Sequence, residues 1–134
     1  MTEPRFSRFS RFVMLESPYV TSGYSREQCV RYALWCCYDS LVNHHECQIA
    51  SHLFWTQFLP EDQKSRELGL AARDFLARVS HATTVRYVDL GKTVGMFRDV
   101  DCTRPIEERR LPTALLKFWV SGQYPKGSLK PEVV

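Results

Sequence analysis

Short apolar runs that alternate with longer segments of helical periodicity constrain this chain more than any other feature of its sequence. Phe12 to Leu15 is continuously apolar, as expected of a strand covered on both faces in a parallel sheet. The run breaks at Ser17-Pro18-Tyr19, and Gly23 follows. Ser25 and Gln28 form a capping-box pattern that opens a segment through about His44, in which Val30, Ala33, Leu34, Cys37 and Leu41 recur at helical spacing. A second apolar stretch, Cys47 to Ala50, leads into Ser51-His52 and the aromatic-rich Leu53 to Leu59. Pro60-Glu61-Asp62 then starts another helical segment through about Ser80. Thr83 to Val88 is β-branched and aromatic, which favours a third strand ending at Asp89-Leu90-Gly91. After Thr93-Val94-Gly95 the pattern predicts a short helix carrying Met96 to Cys102, then a last strand, Pro105 to Leu111, whose charges put it at an edge. Leu115, Leu116, Phe118 and Trp119 make a final apolar patch, and the stretch after Gly122 is irregular.

This alternation predicts a single α/β domain of Rossmann-like, three-layer form, with a mostly parallel sheet of about 4–5 strands and right-handed crossovers. Residues 1–11 read as a lead-in, 12–122 as the domain and 123–134 as a tail. With 134 residues, 44% of them hydrophobic and 13% aromatic, the chain can bury one core and has room for only one domain. The near-repeat from Phe6 to Phe12 sets Arg and Phe where they can stack on bases, cover a neighbouring subunit or simply lead into the first strand. In parallel sheets ligands bind beyond the carboxyl ends of the strands, so the loops at 17–25, 51–59 and 89–96 are expected to converge.

Several function classes are disfavoured. The formal charge of +3 is spread along the chain, with acids and bases interleaved through residues 61–110, so no basic tract marks a specific nucleic-acid partner. Five cysteines are an odd number, and Cys36 and Cys37 are adjacent in a helical run, which suits reduced thiols in a cytoplasmic compartment. The cysteines include no CxxC pair, and the neighbours His44 and His45 would point in different directions on a helix, so no metal and no cofactor is expected. No apolar run approaches the roughly 20 residues of a membrane span, and the N-terminus lacks the apolar core of a signal peptide.

Ser17-Pro18-Tyr19 after the first strand, Ser51-His52-Leu53 through Gln57-Phe58-Leu59 after the second, Arg66-Glu67-Leu68-Gly69-Leu70, and Thr93-Val94-Gly95-Met96 followed by Asp99 occur in an order and spacing that carry a resemblance. Over roughly residues 12–111 the chain resembles a short, often phage-encoded branch of the nucleoside 2-deoxyribosyltransferase-like family, related to deoxynucleoside 5′-monophosphate N-glycosidases. The resemblance implies chemistry at an N-glycosidic bond, in the host cytoplasm if the chain is phage-encoded. A carboxylate attacks the anomeric carbon and a second acid helps the departing base accept a proton, which requires two carboxyl groups in different environments.

Asp99 falls where the family motif carries its nucleophilic Glu, one methylene shorter here. Asp74, on the helix before the third strand, matches the second acid to within about one residue, with Glu67 and Asp89 as alternatives. Tyr19 joins the two carboxylates as a catalytic candidate. Ser17, Tyr19, Gly23, Thr93 and Gly95, with Met96 completing the motif, are suited to holding a sugar phosphate through hydroxyls and exposed backbone N–H groups, and Arg26 or Lys92 would add charge. His52 is placed to contact base or phosphate. Each has a plainer structural role open to it: turn chemistry for Ser17 and Gly23, a helix-terminal carboxylate for Asp99, a salt-bridged surface for Asp74, packing for His52. Relatives complete each other's sites in dimers, so a homo-oligomer is expected, with Trp55 and Trp119 as interface candidates. The expected partner is a nucleotide or nucleoside, either processed at its N-glycosidic bond or bound by a catalytically silent relative that sequesters it.

Overall fold

The computed structural model describes residues 4–91 and 105–128. Strands β1 (Arg11–Glu16), β2 (Glu46–Ile49), β3 (Thr83–Tyr87) and β4 (Ile106–Arg109) form one parallel sheet in the order β2-β1-β3-β4. The expected single α/β domain with a parallel sheet is therefore the architecture, and β1 lies in its middle. Val13, Met14 and Leu15 point alternately to the two faces yet all are buried, which is why β1 reads as an unbroken apolar run. β4 is mostly exposed and takes the edge, as its charges required.

Helix α1 (Arg26–Tyr38) starts at the capping box legible in the sequence: the Ser25 hydroxyl accepts from the Gln28 N–H at 3.1 Å, and the Gln28 side chain accepts from the Ser25 N–H at 2.7 Å. A π-helical turn, Asp39–Asn43, extends it, so helical structure ends next to the expected His44. A short helix α2 (Ser51–Phe54) and a 3₁₀ turn, Trp55–Gln57, follow β2. Helix α3 (Gln63–Ser80) is capped by Asp62, whose carboxylate accepts from the Ser65 N–H at 2.7 Å, and it stops at His81 in the left-handed region. The last apolar patch, left without an element by the sequence, is helix α4 (Thr113–Val120).

α1 and α4 cover one sheet face. There Val13, Leu15, Val85 and Tyr87 pack with Tyr32, Trp35, Cys36, Leu115 and Trp119 in the main core. Trp119, expected at a subunit interface, is instead buried here, its indole donating to the Gln28 carbonyl at 2.8 Å. Trp35 stacks on Phe118 and donates to the Gln123 carbonyl at 2.9 Å, which ties the start of the tail to α1. α3 serves the opposite face, where its Arg73 meets Glu16 of β1. Cys29, Cys36, Cys37 and Cys47 are free thiols.

Candidate functional site

The β1–β2 register builds the centre of the site. Met14 pairs with Ile49, an offset of 35 residues. Carried three residues past that pair, the same offset sets Ser17 beside His52, and Ser17 Oγ lies 2.9 Å from His52 Nε2. Strand β1 stops at Glu16, and the fully buried Pro18, which offers no N–H, cannot extend its pairing. Around this pair a cavity of about 690 Å³ opens at the carboxyl ends of β1 and β2, within the range of small-molecule sites.

Burial, reinforced by the nearby Arg73 guanidinium, lowers the His52 pKa to about 4, so the imidazole is neutral at pH 7. One ring nitrogen donates and the other accepts, and Ser17 takes the complementary role at Nε2. The Tyr19 ring meets His52 edge-on at 6.2 Å and carries the Arg26 guanidinium over its face at 5.2 Å. Arg26, from the first turn of α1, also pairs with Glu61 in the loop before α3.

α3 supplies the far wall. Ser65, Arg66, Gly69, Leu70 and Arg73 all line the cavity, and their three- and four-residue spacing makes one helix face. Gly69 lies against Trp55, whose Cβ is 3.8 Å from where a glycine-replacing Cβ would sit. Glu16, at the end of β1, accepts from Arg86 at 3.0 Å and lies 3.6 Å from Arg73.

The structure thus brings together Ser17, Tyr19 and His52 of the residues expected from the sequence. Gly23 does not join them: it sits in the turn bridged by Thr21 and Tyr24, where its φ of 90° calls for glycine. Asp74 is not a wall of the cavity and is bonded to Arg73 at 3.2 Å. The alternative acids are also engaged elsewhere. Asp89 accepts from the Tyr32 hydroxyl and from the Leu111 N–H, clipping α1 to the end of β4, and Glu67 accepts from Gln63 on the exposed side of α3. Thr93, Gly95, Met96 and Asp99, with Lys92 and the short helix expected at 96–102, lie outside the described residues. Glu16, Arg66 and Arg73 are cavity residues that the sequence did not single out as such. The signal was the one-face spacing of Arg66, Gly69 and Arg73 on a helix that follows the second strand.

Chemically, the cavity offers a neutral imidazole, hydroxyls, guanidinium groups and the rings of Tyr19 and Trp55, a set that suits a polar, partly anionic ligand with a flat aromatic part. Among the described residues no group of three His, Cys, Asp or Glu side chains is arranged to hold a metal ion. No helix among them is long and apolar enough to cross a membrane. Neither a curated protein nor a solved structure matches the chain. A family model described as "Domain of unknown function (DUF7768)" matches residues 11–110, and the chain belongs to that family.

Proposed function

We propose that this domain binds a nucleoside or its 5′-monophosphate in the cavity beyond β1 and β2 and acts on the N-glycosidic bond, by hydrolysis or by passing the sugar to another base. The observation that carries the proposal is the meeting of Ser17 and Tyr19, from the loop after β1, with His52, from the short helix after β2, on one cavity of about 690 Å³ at the carboxyl ends of parallel strands. In this scheme Asp99, the nucleophile implied by the resemblance, bonds to the anomeric carbon as the bond to the base breaks. The base leaves with the bonding electrons and takes up a proton, and water then releases the sugar and restores the carboxylate. Because Asp74 is turned to Arg73, the proton donor is assigned to another group of the cavity or to water.

A second proposal, binding without turnover, is favoured by the ion pairs of the cavity's own carboxylates: Glu16 with Arg86 and Arg73, Glu61 with Arg26. It is also favoured by an imidazole whose depressed pKa makes it a weak base.

Incubation with a panel of nucleosides and 5′-monophosphates, with chromatography for free base, separates the two. Product that disappears in Asp99→Asn supports the enzyme. No product, together with saturable binding by calorimetry that is lost in His52→Ala, supports the silent binder. Absence of both turnover and binding across the panel overturns both. A homo-oligomer belongs to the same proposal, supported by the exposed Leu68, Phe75 and Val79 on α3. A 15.6 kDa species in sedimentation at micromolar concentration would rule it out.

A further inference from the structure

The charges around the cavity do not cancel evenly. Glu16 is bonded to Arg86 and Arg73, Asp62 caps α3, and Glu61 pairs with Arg26. Each cavity carboxylate therefore has an internal partner. Of the cavity's guanidinium groups, Arg73 and Arg26 are likewise paired, whereas among the described residues Arg66 has no hydrogen bond or ion pair through its side chain. Its position makes this unusual, because the first turn of α3 contains no acid and the helix dipole there disfavours a cation. An arginine in that turn gains nothing from the helix dipole, yet it lines the cavity. Arg26 is held differently: its partner Glu61 is 68% exposed, and exposed ion pairs are weak enough to exchange.

We propose that Arg66 and Arg26, delivered from α3 and α1 to the same cavity, are its recognition element for a dianionic phosphomonoester, and that the Glu61 carboxylate occupies Arg26 until the ligand's phosphate displaces it. The proposal rests on the nucleotide reading above for the identity of the ligand, but not for the anion preference itself. Guanidinium suits this role because its fork of N–H donors engages two phosphate oxygens at once. Glu61 biases the choice of ligand: a dianion competes with it for Arg26 better than a monoanionic or neutral ligand does.

The test titrates inorganic phosphate, the common nucleosides and their 5′-monophosphates into the wild-type chain, R66Q and E61Q by calorimetry at low salt. Monophosphates are expected to bind wild type about tenfold or more tighter than nucleosides, and R66Q to reduce that ratio by about tenfold. E61Q is expected to bind monophosphates about two- to fivefold more tightly, a gain that a misfolded variant does not produce. An unchanged ratio in R66Q, or no gain in E61Q, overturns the proposal while leaving nucleoside binding intact. If only inorganic phosphate binds and responds to both variants, the anion element stands and the nucleotide reading falls. Binding of none of the three overturns both.

Discussion

His52 illustrates how a single side chain reports its surroundings. Its pKa is lowered to about 4 by burial and by Arg73, from an ordinary value of 6.5, so the folded protein takes up its proton later than the unfolded chain does. Stability is therefore lost as pH falls from about 6.5 towards 4. His52 as a residue is half-buried, and the loss between pH 7.5 and 5 is roughly 1–2 kcal/mol. Urea denaturation at the two pH values should show it in the wild type, and His52→Gln should shrink the difference; an equal difference in both proteins would refute the assignment. Gly69 offers a test of opposite sign. It occupies the interior of α3, and an added Cβ would meet Trp55 at an ordinary contact distance of 3.8 Å. Gly69→Ala should raise stability by up to about 1 kcal/mol, read as a higher melting temperature, because alanine loses less backbone entropy in a helix.

Strand β2 begins with a carboxylate, one residue before the apolar stretch that marked it in the sequence. Glu46 is 2% exposed at its side chain and accepts from Arg11 at 2.7 Å, from Arg109 at 2.8 Å and from the Ser40 hydroxyl at 2.8 Å. Tyr87 extends the network, donating to the fully buried Asp39 at 2.6 Å while accepting from Arg109 at 3.2 Å. These bonds tie β1, β2, β3, β4 and the end of α1 together, and they hold the Glu46 pKa down to about 2 against the opposing effect of burial. A carboxylate depressed in this way contributes stability above its ordinary pKa of 4.5 and loses it as pH falls towards 2, below the window of His52. Glu46→Ala leaves the guanidinium groups of Arg11 and Arg109 without this partner. It should cost about 3–5 kcal/mol in chemical denaturation at neutral pH; a cost under about 1 kcal/mol would show the network to be dispensable. The hydrophobic pattern marked β2 only from Cys47, because a buried ion pair has no signature in a pattern of apolar residues.

For the molecule as a whole, the closing step is the return of α4 onto α1. Trp119 lies edge-on to Tyr32 at 5.7 Å and tilted against Tyr24 at 5.6 Å. Trp119→Ala should destabilise by about 3–5 kcal/mol, measured from the denaturant midpoint, through the cavity left behind and the lost bond to Gln28. A small loss would return Trp119 to the surface role expected of it. The sequence by itself determined the class of fold, since the unbroken apolar run at β1, the β-branched and aromatic stretch at β3, the Ser25 capping box and a long amphipathic α3 depend on neighbours a few residues away. It also determined that Ser17, Tyr19 and His52 follow strands. Only the tertiary structure decided that Ser17 and His52 touch, that Asp74 turns to Arg73 and away from the cavity, and that Trp119 is core. Strand register, helix rotation and burial depend on contacts between residues tens of positions apart, which local periodicity does not encode.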